Sequence, residues 1–167
     1  MRSNKFIIST DRWTRLVRFS TTLVQDYSLA EDIVQDVQLK LLAHPELLKS
    51  VKNIEGFVYR MVKNRSLDVI RSNRYRSVEL DASLNIHTED LIRCLERNEM
   101  SEVAKLLIDK LPEKYRMVIY LKDVEQMSME QVGVVLKMNT ASVRVSLSRA
   151  RKKIREQITN IYAYETK

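Results

Sequence analysis

The sequence predicts an all-α protein built from two small helical domains, and three observations support that fold class. The 167 residues include only 2 Gly and 2 Pro, whereas sheet-rich folds need turn residues at short intervals. Apolar residues recur at helical spacing along most of the chain, which is typical of amphipathic helices. The pattern lapses near the middle, and a chain of this length suits one domain or two small ones.

Composition favours a polyanion partner. Lys and Arg number 29 against 22 Asp and Glu, for a net charge of +7, and such an excess suits nucleic acid. The single cysteine, Cys94, can form no internal disulfide, which fits a reducing cytosol. We find no apolar run of about 18 residues and no signal peptide, so we expect no membrane insertion. These features predict a cytoplasmic protein.

The first predicted domain comprises residues 1–76 and three helices. Helical spacing of apolar residues defines one helix from about residue 11 and a second over 29–43. Pro45 ends the second helix because the residue before proline avoids the α region, and a third helix follows over 56–76. The predicted buried residues of the first two helices are Leu16, Phe19, Leu23, Val24, Ile33, Val34, Val37, Leu41 and Leu42.

Residues 77–88 are predicted to be a linker in an acidic part of the chain. They lack a helical period and contain Asp81, Ser83 and Asn85, residues that favour turns. From residue 77 to residue 103, seven Asp and Glu accompany only two Arg. The basic excess therefore belongs to the flanking domains.

The second predicted domain comprises residues 89–167 and ends in a helix-turn-helix. Thr88 is the expected N-cap of its first helix, and Pro112 the first position of the next. Four helices are expected, over about 89–111, 113–123, 128–136 and 140–162. The last two are separated by only a few residues near 137–139, which is typical of a helix-turn-helix.

The third helix of the first domain has a polar, basic face. At about 100° per residue, its polar residues fall within an arc of about 100°: Arg60, Lys63, Asn64, Arg71 and Arg74. Phosphates bound along this face would offset the repulsion between its cations. Rings that could stack on unpaired bases accompany it: Phe57, Tyr59 and Tyr75. The alternative is a solvated basic face with aromatic residues in the core.

The second helix has an acidic face formed by Glu31, Asp32, Gln35 and Asp36. Asp32 and Asp36 are like-charged residues one turn apart, an arrangement that mildly destabilises the helix. Phosphate would be repelled by this face, so we expect it to bind a basic protein surface. An ordinary solvated face is the alternative.

The last helix separates an apolar stripe from a cationic face. The stripe comprises Val143, Leu147, Ala150, Ile154 and Ile158. A recognition helix presents its N-terminal residues to base edges, so Arg144 and Arg149 are candidates to bind guanine. Candidates to bind phosphate are Arg151, Lys152 and Arg155. A merely cationic surface helix is the alternative, and the short helix before it favours DNA binding.

Two parts of the chain together resemble the bacterial RNA polymerase sigma factors of the extracytoplasmic-function (ECF) group. Residues 29–41 (LAEDIVQDVQLKL) are similar to the polymerase-binding signature of sigma region 2, and 57–71 (FVYRMVKNRSLDVIR) to its promoter-melting helix. Residues 111–116 (LPEKYR) and 142–154 (SVRVSLSRARKKI) are similar to sigma region 4. The two predicted domains would then be a region 2 bundle and a region 4 helix-turn-helix.

The resemblance implies roles for individual residues. Those that match the face docking on the clamp helices of the largest polymerase subunit are Glu31, Asp32, Gln35 and Asp36. Those that match the minus-ten DNA site are Lys49, Val51, Lys52 and Asn53, in the loop that receives a flipped base, and Phe57, Arg60, Lys63, Asn64, Asp68, Arg71 and Arg74 on the helix. Those that match the minus-thirty-five site are Thr140, Arg144, Val145, Ser148, Arg149, Arg151 and Lys152.

The resemblance also implies binding partners. Expected partners are the polymerase core, through its clamp helices and flap, promoter DNA, and in some members an anti-sigma factor; no catalytic residue, metal or cofactor is expected. The chain departs from the family pattern at Lys137, where glycine is usual, at Gly133, where alanine is usual, and at Phe57, where tryptophan is commoner.

Two alternative functions remain open at this point. One is a polymerase-independent helix-turn-helix regulator. A recombinase or nuclease with a helix-turn-helix tail is the other, but we find no nucleophile or metal carboxylates for it.

Overall fold

The computed structural model describes residues 8–76 and 100–165, with side chains over 8–72 and 103–160. Within those ranges every regular element is helical, as predicted. The elements are α1 (Thr10–Val24), α2 (Tyr27–Ala43), a 3-10 helix (Pro45–Leu48), α3 (Ile54–Arg76), α4 (Met100–Asp109), α5 (Glu113–Ile119), a π turn (Tyr120–Val124), α6 (Met129–Leu136) and α7 (Thr140–Glu165). None of these helices is long and apolar enough to cross a membrane.

The chain forms two compact units. The first contains α1, α2 and α3 and includes residues 130–138, and the second contains α4, α5 and α7. The predicted linker, residues 77–88, and the expected cap Thr88 lie outside the described residues. The domain limits 1–76 and 89–167 therefore stay predictions.

Side-chain caps set where the first three helices begin. The Ser9 hydroxyl accepts a hydrogen bond from the Arg12 N–H (3.4 Å), and the Asp26 carboxylate accepts one from the Leu29 N–H (2.9 Å). Because Asp26 is the cap, α2 begins two residues earlier than predicted. Asn53 caps α3 through the Gly56 N–H (2.9 Å). Pro45 follows the end of α2 and begins the 3-10 helix, so the predicted break at Pro45 is confirmed.

The core of the first unit is formed where α1, α2 and α3 meet. Phe19 and Tyr59 pack with ring centroids 5.3 Å apart, and Tyr59 is only 1% exposed. Of the two alternatives that the sequence left open for Tyr59, base stacking or the core, the structure supports the core. Ser20 and Ser66 share a buried hydrogen bond of 3.0 Å between α1 and α3. The remaining core residues include Leu16, Ile33, Val34, Val37, Leu41, Val58 and Val62.

The core of the second unit lies between α4, α5 and α7. Val103 and Leu107 of α4 pack with Ile154 and Ile158 of α7. Buried residues of α5, the π turn and α7 complete it: Met117, Val118, Leu121, Val143, Leu147 and Ala150. The apolar stripe predicted for the last helix is therefore the buried side of α7.

The chain leaves α5 through a π turn, which the sequence did not predict. The Glu125 N–H donates to the Tyr120 carbonyl oxygen (2.9 Å), five residues back, and this wider spacing defines a π turn. The Lys122 ammonium donates to the Met127 carbonyl oxygen (2.9 Å). Gln126, at φ 56°, donates through its side chain to the Asp123 carbonyl oxygen (2.7 Å). These bonds satisfy backbone carbonyls where α5 ends.

Gly133 and Lys137 shape the end of α6. Lys137 adopts a left-handed backbone with φ 55°, and the Met138 N–H donates to the Gly133 carbonyl oxygen (2.9 Å). This is the bond of a Schellman motif, in which glycine usually occupies the left-handed position. A Cβ added to Gly133 would lie 2.6 Å from the Met138 carbonyl oxygen. Gly133 thus allows the turn to close tightly around a non-glycine residue.

Candidate functional site

The acidic face of α2 is exposed, but its four predicted residues differ in what they contact. Asp32 and Gln35 are exposed, and Glu31 is half-buried. The Glu31 carboxylate raises the pKa of the Tyr27 phenol through its charge and a side-chain hydrogen bond. Asp36 accepts two hydrogen bonds from the Arg65 guanidinium, at 3.1 and 2.8 Å.

Arg65 is a residue that the sequence did not single out. It lies on α3, 29 positions from Asp36, so no local pattern could pair the two side chains. The pair joins the predicted polymerase-docking helix to the predicted DNA-melting helix. Both Asp32 and Asp36 are exposed, and the Asp36 carboxylate is already paired with Arg65 within the protein.

An open hollow of about 410 Å³ adjoins the acidic face, between α1 and α2. Trp13, Leu39 and Leu42 contribute its apolar surface, and Glu31 and Asp32 lie among its polar residues. Leu39 is 57% exposed, although it lies between buried positions of α2. Trp13 was not predicted as a site residue because it lies on another helix.

The predicted flipped-base loop connects the 3-10 helix to α3. Lys49 and Lys52 are exposed, Val51 is half-buried, and the Val51 N–H donates to the Leu48 carbonyl oxygen (3.3 Å). The Asn53 side-chain oxygen is engaged by the Gly56 N–H. Asn53 therefore holds the start of α3, which leaves its amide NH₂ as the group able to meet a base.

The predicted minus-ten residues of α3 include two local pairs. The Arg60 guanidinium lies over the Phe57 ring, 5.3 Å from its centroid, which is cation–π geometry. Asp68 and Arg71 form an exposed ion pair of 3.6 Å. Asn64 is exposed and Lys63 half-buried. The side chain of Arg74 lies outside the described residues, as does that of Tyr75.

The first turns of α7 hold the predicted minus-thirty-five residues. The Asn139 side-chain oxygen accepts a hydrogen bond from the Ser142 N–H (2.7 Å) and caps the helix. Exposed on its free face are Arg144, Val145, Ser148 and Arg149, while Thr140 is half-buried. Val145 is 51% exposed, so its side chain is not needed for the core.

Two further residues of the predicted minus-thirty-five site on α7 are close to acidic side chains. Arg151 forms a two-pronged hydrogen-bonded pair with Asp123 of the π turn, at 3.1 and 2.6 Å. Lys152 lies 3.7 Å from Glu156 one turn along the helix. Asp123 is a second residue that the sequence did not single out, because 28 positions separate it from Arg151.

Comparison with known families agrees with this arrangement. Residues 12–76 match the model described as sigma-70 region 2, and residues 101–154 match sigma-70 region 4. The first match spans α1 to α3, and the second includes α5, α6 and α7 as far as Ile154. The chain belongs to the sigma-70 family. Within that family it is a factor of the ECF group.

Two relatives are similar to this chain over most of its length. The RNA polymerase sigma factor SigV of Bacillus subtilis is 25% identical over 150 residues, covering 90% of this chain and 88% of SigV. The ECF RNA polymerase sigma factor SigW of the same organism is 26% identical over 146 residues, covering 79% of this chain and 76% of SigW. The match therefore includes both sigma regions.

Two solved structures share the fold. CnrH, solved in complex with the cytosolic domain of CnrY, has a TM-score of 0.62 at 20% identity, covering 88% of this chain and 82% of CnrH. The sigma factor RpoE of Bartonella quintana, solved with the anti-sigma factor NepR, has a TM-score of 0.65 at 17% identity, covering 88% of this chain and 91% of RpoE. At these identities the likeness concerns the fold alone.

The family defines the general activity. This sigma factor binds RNA polymerase and directs promoter-specific initiation of transcription. Sigma factors are initiation factors, not enzymes. The polymerase-independent regulator is not favoured, because region 2 would have no role in such a protein.

Proposed function

We propose that the two sigma regions divide promoter recognition between them while both are held on one polymerase. In this scheme α2 docks on the clamp helices of the largest core subunit, and the second unit contacts the flap. The loop before α3, with α3 itself, holds the opened minus-ten strand, and α7 binds the minus-thirty-five element. The observation that supports this most directly is the exposure of Arg144, Ser148 and Arg149 on the free face of a helix whose other side is buried.

The acidic face of α2 supports the docking role. Asp32 and Gln35 are exposed there, and a partner with basic residues would supply the complementary charge. Asp36 contributes through its pair with Arg65, which ties the docking helix to α3. In this scheme the polymerase binds α2, which packs against α3, the helix proposed to bind the minus-ten strand.

Tethering explains how two small DNA sites can act together. Each unit offers few base-directed side chains, so each alone would bind DNA weakly. With both on one polymerase, the second contact becomes intramolecular and gains from effective concentration. Two short elements at a fixed separation are then bound as one site.

Promoter opening needs no covalent step in this scheme. Bases that leave the stack are captured in a pocket and by aromatic or cationic side chains. Phe57 and Arg60, stacked on each other in α3, and the exposed Lys49 and Lys52 are suitable residues for that capture. Binding to the opened strand shifts the equilibrium towards the open promoter.

The proposal extends to the cellular location of the protein and to its regulation. We place the protein in the cytoplasm, where the polymerase acts on DNA. One of the structural neighbours is a sigma factor bound to an anti-sigma factor, and we propose that this chain too can be held inactive by such a partner.

Charge reversal on α2 tests the docking role. Asp32→Lys should lower the affinity for polymerase core at least tenfold without changing the thermal unfolding midpoint, because Asp32 is exposed. Asp11→Lys is the matched control, since it reverses another exposed acid on α1. Unchanged core affinity in Asp32→Lys would overturn the assignment of the docking face.

A further inference from the structure

Val145 is an apolar residue at the centre of the free face of α7. At about 100° per residue, it lies opposite Val143 and Leu147, which are buried on the other side of the helix. Ser148 and Arg149, both exposed, lie on either side of it. Val145 itself is 51% exposed. The position opposite the buried stripe of this helix is therefore occupied by a valine flanked by polar side chains.

Folding gives little reason for a valine at this position. A β-branched side chain loses rotamer freedom in a helix, and at this exposure Val145 gains little from packing in return. The other large apolar side chains that the structure describes on α7 are buried or half-buried: Val143, Leu147, Ile154 and Ile158. A single exposed valine is ordinary on a protein surface, but this one lies in the second turn of the helix proposed to bind the minus-thirty-five element.

Thymine is the base whose edge in the major groove offers an apolar group to such a side chain. Its C5-methyl lies beside the O4 acceptor, whereas the other three bases present only hydrogen-bond donors and acceptors there. Opposite one of those bases, a valine would cover polar groups without forming hydrogen bonds to them. The exposed Arg144 and Arg149 beside Val145 supply cations for neighbouring bases or phosphates. The surroundings of Val145 therefore suit DNA, and its side chain suits thymine.

We propose that Val145 contacts the C5-methyl group of one thymine in the minus-thirty-five element, so that recognition of that base pair depends on the methyl. The inference rests on the proposed binding of α7 to this element, and it deepens that function by naming a base and the group that is recognised. The valine side chain has no hydrogen-bonding group, so its contribution to specificity is the burial of methyl groups alone. A protein partner that covers Val145 is the alternative occupant, and the experiment distinguishes it.

Deoxyuridine tests the contact because it differs from thymidine only in lacking the C5-methyl group. Holoenzyme formed from polymerase core and the full chain is bound to promoter duplexes that carry a minus-thirty-five element selected from a randomised library. Each thymine of that element, on either strand, is replaced in turn. At one position the replacement should weaken binding about three- to fourfold, the loss expected for one buried methyl group. In Val145→Ser the same replacement should have no effect, because the apolar contact is gone.

Val124→Ser is the matched control, because Val124 is 50% exposed but lies in the π turn and not on α7. This variant should respond to deoxyuridine as the wild type does, and both serine variants should keep nearly the same unfolding midpoint. 5-Methylcytosine provides a second readout of the methyl group. At the responsive position, 5-methylcytosine should bind about three- to fourfold more tightly than cytosine in the wild type, and equally tightly in Val145→Ser.

The outcomes separate this inference from the proposed role of α7. If holoenzyme shows no preference for any minus-thirty-five element over scrambled DNA, the role of α7 fails. If holoenzyme shows that preference but no thymine responds to deoxyuridine, the role of α7 stands and the methyl contact is wrong. A deoxyuridine response that persists in Val145→Ser would overturn the contact as well. Weaker binding of Val145→Ser to polymerase core without DNA, together with that persistent response, would mean that Val145 contacts a protein instead.

Discussion

The Arg151 guanidinium of α7 forms a bidentate hydrogen-bonded pair with the Asp123 carboxylate. Its Nε donates to one carboxylate oxygen at 3.1 Å and its Nη2 to the other at 2.6 Å. The hydrogen bond to Asp123 raises the pKa of Arg151. Because Asp123 lies in the π turn after α5, the pair holds α7 against that turn, and we propose that Arg151 positions α7 for the DNA contact proposed above.

Replacement of Arg151 by lysine separates positioning from phosphate binding. Lysine keeps the charge but loses the planar fork, so Arg151→Lys should reduce the preference of holoenzyme for a specific minus-thirty-five element over scrambled DNA. Arg155→Lys, on the same helix, is the control and should leave that preference unchanged. Competition binding with promoter and scrambled duplexes measures it. If Arg151→Lys behaves as wild type while Arg151→Gln lowers the salt slope by about one, Arg151 is a phosphate contact instead.

The Asp36–Arg65 pair should respond to charge exchange. Both side chains are about half exposed, at 51% and 49%, so screening limits the expected loss in Asp36→Asn to about 1 kcal/mol or less. The swap Asp36→Arg with Arg65→Asp should recover most of that loss, and salt should diminish every difference. Urea unfolding at low and high salt measures these effects. Equal losses in the swap and in the single variants would contradict the pair.

The turn after α6 predicts opposite effects at two positions. Gly133→Ala should destabilise the protein by about 1–3 kcal/mol, because the new methyl group meets a backbone carbonyl. Lys137→Gly should stabilise it by up to about 1 kcal/mol, because glycine adopts the left-handed backbone without a steric cost. Chemical unfolding of the two variants provides the test, and a stabilising Gly133→Ala would contradict the geometry of the turn.

Arg149 is the clearest candidate for direct contact with a base. Arg149→Ala should cost about 1–3 kcal/mol of binding at the minus-thirty-five element and relax specificity at one base pair. Lys153→Ala, which removes another exposed cation of α7, is the control and should weaken binding uniformly across sequences. Selection from a randomised minus-thirty-five library measures both effects. An equal loss on scrambled DNA in Arg149→Ala would mean that Arg149 binds phosphate.

Periodic patterns predicted the helices, because each buried stripe depends on residues three or four positions apart. The stripe of α7 was predicted in this way, and so was the break at Pro45. The resemblance placed Lys137 where a left-handed glycine is usual, and its φ of 55° bears this out. The resemblance marked Gly133 only as a departure from the usual alanine, whereas the structure shows that it makes room for a carbonyl oxygen.

Contacts between distant residues could not be predicted in the same way. Phe57 and Tyr59 are both aromatic and two positions apart, yet Tyr59 packs on Phe19 of another helix. The partners of Asp36 and Arg151 lie 29 and 28 positions away. The sequence of one helix alone therefore gave no sign that these charges are paired. Trp13 joins the acidic face for the same reason, through the packing of α1 against α2.

Assembly of the purified chain with bacterial RNA polymerase core, followed by run-off transcription on a genomic fragment library, tests the central claim most directly. We expect a stable complex whose transcripts start downstream of a shared pair of short elements at fixed separation. Asp32→Lys should abolish these transcripts, and Arg149→Ala should reduce them selectively at promoters that depend on the upstream element. Failure to bind core, together with tight binding to duplex DNA by the chain alone, would contradict the account.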